Sequence, residues 1–218
     1  MLNFSMIPEI LLIPREGFNA LKKETEALDG ITTGVILFIA STALSVGFLA
    51  LFEPNKFDVI SEIKTLSTSM VFIIIFTIIV GTIAAKTAKK AFNGIGDAAI
   101  TISFSGYSQA VYFIISLLMT LLTIILGLTI LKEMPQNIFS LALSTGPAGM
   151  LFLAVIAAGA LWWLYVHGSG IAEANNLSFF KGVAVSLFAS ITAIAITTFI
   201  VLTADFVIVT QTGFSIIP

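Results

Sequence analysis

The sequence predicts an all-α integral membrane protein, a bundle of five transmembrane helices preceded by an amphipathic helix at the membrane surface. Of its 218 residues, 58% are hydrophobic and 10% are charged, and the mean hydropathy is +1.09. Several apolar runs reach about twenty residues, the length that crosses a hydrocarbon core. Lipid is therefore the expected solvent, and the bilayer is the first expected partner.

The N-terminal segment, residues 1–30, is expected to be a cytoplasmic or interfacial segment rather than a cleaved signal peptide. Its apolar run is short and interrupted by prolines, and its charges follow that run instead of preceding it. Residues 15–28 have an amphipathic pattern, with Phe18 and Leu21 set against lysines and glutamates. This pattern fits a helix at the membrane surface and equally fits a solvated charged helix.

Five apolar segments follow, and residues 31–210 form the predicted transmembrane domain. The spans are placed at about residues 31–52, 67–85, 107–131, 148–167 and 180–209. The second stops at a basic run, Lys86, Lys89 and Lys90. The fifth is longer than a perpendicular span requires, so it must tilt or leave the bilayer. Residues 211–218 would form a short external tail.

The distribution of cationic residues predicts the orientation. The N-terminal segment and the connections after the second and fourth spans hold seven Lys and Arg residues, whereas the other connections hold three. Because cationic side chains are retained on the cytoplasmic side, we expect a cytoplasmic N-terminus and an external C-terminus in a multi-pass cell-membrane protein. Trp162, Trp163 and Tyr165 would then form an aromatic belt at the cytoplasmic interface.

Stripes of small residues on three spans predict where helices pack, because small side chains allow close backbone approach in lipid. They are Ala40, Ala43, Gly47 and Ala50 on the first span, Ser116, Thr120, Thr123 and Gly127 on the third, and Gly182, Ser186, Ser190, Ala193 and Thr197 on the fifth. Ser and Thr residues could instead line a polar path, although packing is their commoner use. Exposed stripes also predict a homo-oligomer.

No catalytic or cofactor-binding pattern stands out, and we expect a protein that is not an enzyme and has no cofactor or metal. The chain has no Cys, no zinc-binding His-Glu-x-x-His pattern and no Gly-rich nucleotide loop. Its net charge of -2 also makes nucleic acid an unexpected partner. Residues 167–170 (His-Gly-Ser-Gly) superficially resemble an intramembrane serine protease, but His167 and Ser169 should project on different sides of a helix.

Two groups of polar residues remain as candidate sites. One is Asp205, which is either an interfacial carboxylate or, if the helix is shifted inward, a cation or proton site. The other lies at the cytoplasmic edge and comprises Asn93, Gly94, Gly96, Asp97, Tyr107, His167, Glu173, Asn175 and Asn176. If their two connections fold together they could form a docking surface or a solute vestibule, although polar loop residues also occur without any function.

The order of several segments resembles the Yip1-domain family of five-span membrane proteins. Residues 13–21 are similar to its Pro-x-x-x-Phe segment, and residues 92–97 and 106–108 to its Gly-rich connection and the Tyr that follows. Residues 162–170 and 176–181 resemble its fourth span and the loop into its fifth. The chain lacks the Asp-Leu-Tyr-Gly-Pro motif of eukaryotic members, which act in vesicle traffic and contact small GTPases. It also lacks the Pro that commonly follows the Tyr in relatives.

The resemblance implies a nonenzymatic protein of a prokaryotic cytoplasmic membrane that organises lipid or an unidentified membrane or cytoplasmic partner protein. Its interaction surface would be the cytoplasmic edge. The alternative is a small-solute or ion transporter or channel. Its path would be lined by Ser116, Thr120, Ser186 and Ser190, together with Asp205 or His167. Convergence of these side chains on a polar cavity would favour the alternative.

Overall fold

A computed structural model describes residues 3–22, 25–52, 59–126 and 146–212 of the chain. Every regular element in these ranges is a helix. Five helical segments are long and apolar enough to cross a membrane: Ala27–Leu44, Leu66–Phe92, Ala98–Leu122, Gly149–Asn175 and Phe179–Ile200. The predicted fold class is therefore confirmed.

The helices are numbered here in chain order, after a short 3-10 turn at Phe4–Met6. They are α1 (Ile7–Leu12), α2 (Pro14–Leu21), α3 (Ala27–Phe52), α4 (Val59–Phe92), α5 (Ala98–Tyr107), α6 (Ala110–Leu126), α7 (Pro147–Asn175) and α8 (Phe179–Thr212). The third span consists of α5 and α6. Helix α5 is central, packing against α3, α4 and α7, while α8 packs against α7 and α4.

The third span begins earlier than the sequence suggested, at Ala98 instead of near Tyr107. The hydroxyl and glycine residues of α5 lower its mean hydropathy. The helix is therefore not part of an unbroken apolar run in the sequence. These hydroxyls are nevertheless compatible with burial, because Thr101 and Ser105 each donate to the carbonyl four residues earlier. Asp97 caps the helix by accepting a hydrogen bond from the Ile100 amide at 3.1 Å.

The third span is interrupted between α5 and α6, just after Tyr107. The sequence has no proline at this break. The Gln109 amide bonds to the Gly106 carbonyl, three residues earlier, at 3.0 Å. This tighter turn releases the Ser105 carbonyl, which accepts instead from the Gln109 side chain at 3.5 Å. A local 3-10 turn therefore produces the break that proline could otherwise impose.

The N-terminal segment folds back onto the bundle as α1 and α2. Phe18 and Leu21, the apolar side of the predicted amphipathic helix, are fully buried, and the Phe18 ring lies 4.6 Å from that of Phe104. The Trp162 indole also donates to the Leu11 carbonyl at 3.1 Å. The apolar side of this helix therefore packs against a complementary face of α5 and α7, a contact that the sequence did not predict.

The small-residue stripes differ in their outcome. The stripe on α8 is buried at Gly182, Ser186, Ser190, Ala193 and Thr197, as expected of a packing face. On α3, Ala43 is exposed and, among the described residues, a Cβ added at Gly47 would meet nothing within 4 Å, so the predicted packing face is not found at these two positions. The close approach of α3 lies instead at Gly30, where an added Cβ would overlap the backbone of Ser103.

Some predictions fall outside the described part of the chain. They are the end of the third span at residues 127–131, which includes Gly127, most of the predicted tail (213–218), and the side chains of Ala50, Thr123 and Asp205.

Candidate functional site

The connection after the second span and the connection after the fourth fold against each other at one end of the bundle. Residues 93–97 and 176–178 form this surface, called here the connection face. Asn175 joins its two halves: its side-chain oxygen accepts from the Gly96 amide at 3.1 Å, and its amide nitrogen donates to the Thr101 hydroxyl at 3.1 Å. Its backbone carbonyl accepts from the Ile95 amide at 3.1 Å. The connection face is therefore held in one conformation.

Several predicted site residues on the connection face have backbone roles. Asn93 and Asn176 both adopt φ of 56°, the left-handed conformation that ends helices α4 and α7. The following amides close the caps, Gly94 to the Ala88 carbonyl at 2.9 Å and Leu177 to the Ala172 carbonyl at 2.8 Å. The side chains of the two asparagines stay exposed. The polar composition of these connections therefore serves turn geometry first.

Three residues assigned to the cytoplasmic edge from the sequence do not lie on a surface. Tyr107, His167 and Asn175 are fully or almost fully buried. The Tyr107 hydroxyl accepts from the Asn3 amide at 3.3 Å, beneath the N-terminal segment. For these residues the interaction-surface prediction was wrong. The N-terminal segment covers Tyr107, α5 and α8 enclose His167, and the connection after α4 covers Asn175.

Glu173 links the N-terminal segment to α7. Its carboxylate lies 3.5 Å from the Nε of Arg15, and its backbone carbonyl accepts from the Lys22 ammonium at 2.6 Å. Arg15 precedes Phe18 on α2 by one turn, so the ion pair borders the buried apolar contact. Neither Arg15 nor Lys22 was assigned to a site from the sequence, because no local pattern relates α2 to α7.

His167 forms a buried hydrogen-bonded chain with serines of two other helices. Its Nε2 lies 3.0 Å from the Ser105 hydroxyl and its Nδ1 lies 2.6 Å from the Ser186 hydroxyl. Ser105 already donates its hydrogen to the Thr101 carbonyl, so it can only accept from the ring. In a neutral imidazole, Nε2 therefore donates to Ser105 and Nδ1 accepts from Ser186. The chain joins α5, α7 and α8.

Ser186 and His167 meet the distance expected of a nucleophile and its base. Both, however, are at most 1% exposed, and the cavities described below are lined by other residues. Trp163 also stacks on the imidazole at 4.5 Å between ring centroids. Ser169 is not part of this arrangement, in agreement with its position two residues along the helix. The geometry of this hydrogen-bonded chain suits the association of the three helices.

Two serines of α8 give a matched test of the hydrogen bond between Ser186 and His167. Ser186→Ala leaves Nδ1 of His167 without a donor, which costs about 1–3 kcal/mol for a buried acceptor. We expect the melting temperature to fall by about 4 °C, at about 2–4 °C per kcal/mol. Ser190, one turn further along, has a buried hydroxyl with no partner among the described residues. Ser190→Ala should therefore leave the melting temperature unchanged or higher, and equal losses would contradict the assignment.

The residues predicted for a polar path do not converge. A cavity of about 480 Å³ between α3, α4, α6 and α8 is lined by Phe38, Ser41, Ser69, Phe72, Ile73, Phe76, Gln109, Tyr112, Ser116 and Ile194. Its lining is mainly apolar, and the Ser116 hydroxyl bonds to the Ser41 carbonyl at 3.5 Å. Thr120 bonds to its own helix, and Ser186 to His167. Asp205 lies in α8 (Phe179–Thr212), and its side chain lies outside the described part of the structure.

Comparison with known proteins gives one finding. The family model for the Yip1 domain matches residues 9–202, a range that includes all five candidate spans. The curated proteins and the solved structures give no match. Within the described ranges, no group of three His, Cys, Asp or Glu residues is placed to hold a metal ion.

Proposed function

This chain belongs to the Yip1-domain family, and from that membership and its geometry we propose that it is a non-enzymatic membrane protein that organises lipid or partner proteins through its connection face. The observation that carries the proposal is the Asn175 network. It holds residues 93–97 and 176–178 in a fixed arrangement while leaving Asn93, Ile95 and Asn176 exposed. A preformed surface loses little conformational entropy when it binds.

The charge around the connection face supports a cytoplasmic location. Exposed cations lie beside it on three helices: Arg15 on α2, Lys86, Lys89 and Lys90 on α4, and Lys181 on α8. Such a concentration of cations is retained in the cytoplasm during insertion and attracts anionic headgroups. We propose a prokaryotic cytoplasmic membrane, an N-terminus inside and a C-terminus outside.

The alternative of a transporter or channel receives less support. Conduction needs polar groups that face a continuous wet path, whereas the described Ser and Thr hydroxyls mostly bond to carbonyls of neighbouring turns. A hydrolase would need substrate access to Ser186, which is fully buried. The buried polar groups are better explained as contacts that join helices in lipid.

The proposal is tested by photo-crosslinking in membranes of the native cell, with a photoreactive amino acid at Asn93, Ile95 or Asn176. We expect discrete protein adducts from these positions. Probes at Leu161 and Ile191, which are 70% and 66% exposed on membrane spans, serve as controls and should yield lipid adducts alone. Absence of protein adducts from the connection face, or the same adducts from the controls, would contradict a role for this surface in contacting proteins.

Tracer flux in liposomes tests the alternative directly. Purified protein is reconstituted and the flux of cations, protons and common anions is compared with that of empty liposomes. We expect no difference. Flux that is abolished by Asp205→Asn or His167→Ala would overturn the organiser proposal and identify a conduction path.

A further inference from the structure

A small cavity of about 180 Å³ lies between α2, α7 and the start of α8, beside the connection face. It is lined by Arg15, Tyr165, Ser169, Ala172 and Phe179. At about 30 Å³ per water molecule, its volume corresponds to about six waters. It can therefore hold a small polar group such as a phosphate with its ester atoms, but not an acyl chain.

Ser169 is the unexplained group in this cavity. It is 3% exposed, and among the described residues its hydroxyl has no hydrogen-bond partner. Other serines on the spans, such as Ser41, Ser105 and Ser108, donate to the carbonyl four residues earlier. Ser169 does not make this bond, and its Oγ is not among the fully enclosed polar atoms that lack a partner, so it reaches the space of the cavity, where water or a ligand can complete its hydrogen bonding.

The glycines beside Ser169 place it at the cavity. An added Cβ at Gly168 would lie 2.7 Å from the Val183 side chain of α8, and one at Gly170 would lie 2.9 Å from the Phe18 ring of α2. Helix α7 therefore touches α8 at one glycine and α2 at the other. Ser169 lies between these contacts and faces the gap that they leave. The His-Gly-Ser-Gly segment thus has a structural reason independent of proteolysis.

The charge at the mouth of the cavity favours an anion. Arg15 is 71% exposed, and its contact with Glu173 uses Nε, which leaves the two terminal nitrogens of the guanidinium outside that contact. The Lys22 ammonium donates to the backbone carbonyl of Glu173, so a second cation lies close to the same residue of α7. Guanidinium groups bind phosphate oxygens through two parallel hydrogen bonds.

The remaining lining is aromatic. The rings of Tyr165 and Phe179 pack edge to face at 5.6 Å, and the adjacent Phe180 is 81% exposed. A cation and hydroxyls beside aromatic rings at the end of a membrane span match the boundary between headgroup and acyl chains. We propose that this cavity binds the phosphate of one anionic phospholipid of the surrounding leaflet. Arg15 pairs with the phosphate, and Ser169 donates to a phosphate or ester oxygen.

This inference rests on the proposed function, since it identifies a lipid that the protein would organise. The test uses full-length protein in phosphatidylcholine nanodiscs that contain a minority of phosphatidylglycerol, with native mass spectrometry of the lipid retained after release. We expect one phosphatidylglycerol per wild-type chain. Arg15→Gln should weaken its retention about tenfold and Ser169→Ala about threefold, the range for charged and neutral hydrogen bonds.

Matched variants keep the test specific. Ser67→Ala removes an exposed serine from α4, outside the lining of the cavity, and should not alter retention. Arg15→Lys keeps the charge and should restore part of it. Each variant is first checked for unchanged melting temperature.

Three outcomes would overturn the proposal: retention of phosphatidylcholine as strong as that of phosphatidylglycerol, retention unaffected by Arg15→Gln and Ser169→Ala in folded protein, or displacement of the lipid by excess inorganic phosphate. The last would assign the cavity to a soluble anion. Crosslinks from Asn93 and Ile95 report on protein contact at the connection face, so failure of the lipid site and failure of the proposed function are observed separately.

Discussion

Gly30→Ala is expected to remove much of the stability of this protein, although it adds a single methyl group. A Cβ at Gly30 would overlap the backbone of Ser103, and a Cβ at Gly106 would overlap the carbonyl of Gly30. The helices α3 and α5 therefore cross in direct backbone contact at this point. Backbone atoms cannot move aside as the end of a flexible side chain does, so the two helices must separate.

The expected magnitude follows from two opposing effects. Alanine normally stabilises a helix by about 0.5–1 kcal/mol relative to glycine. Overpacking costs about 1–3 kcal/mol and occasionally more, and separation of α3 from α5 also loosens the hydrophobic contacts on either side. We expect a net loss of about 3 kcal/mol and a fall of about 10 °C in melting temperature, measured in detergent or nanodiscs.

Gly47→Ala is the matched control, because it makes the same change on the same helix. In the part of the chain that the structure describes, an added Cβ at Gly47 meets nothing within 4 Å, so the helix-propensity gain should appear without a clash. Its melting temperature should be unchanged or slightly higher. If both variants lose equal stability, the crossing at Gly30 is not the close contact described here.

The number of spans was predictable from sequence, but the helix crossings were not. Apolar runs determine where helices enter lipid, and this signal is local. Gly30 and Gly34 form a Gly-x-x-x-Gly pair that permits close packing. Gly30 follows Asp29 immediately before the predicted first span, so its position in the sequence does not mark it as a packing site. Small residues alone do not show which side of a helix meets a neighbour.

The residue types of the connection face were also predictable, but their partners were not. Polar and glycine residues in short connections indicate turns, and the left-handed conformation of Asn93 and Asn176 agrees with that. The pairing of His167 with Ser105, by contrast, joins residues 62 positions apart in the chain. No helical period relates them. Contacts of this kind depend on how three helices pack, which a single sequence does not reveal.

Asn175→Ala is expected to have the second large effect, and it tests the arrangement of the connection face itself. The substitution removes the acceptor for the Gly96 amide and the donors to the Thr101 hydroxyl and the Ile171 carbonyl. Asn175 is fully buried, so water cannot easily replace these bonds. We expect a loss of about 2–4 kcal/mol, since each buried group left without its partner costs about 1–3 kcal/mol.

A substitution of the neighbouring Asn176 is the control for Asn175→Ala, because it changes the same connection without removing the buried hydrogen bonds. Asn176 is exposed with φ of 56°, a conformation that glycine adopts without strain, so Asn176→Gly should change stability by a few tenths of a kcal/mol. Hydrogen exchange followed by mass spectrometry should show faster exchange of residues 93–97 in Asn175→Ala alone. Unchanged exchange there would contradict the network as the source of order. If the Asn175→Ala variant shows faster exchange and also loses its protein crosslinks from Ile95, the order of the connection face is connected to partner binding. The reason is that a surface that must first become ordered binds its partner more weakly.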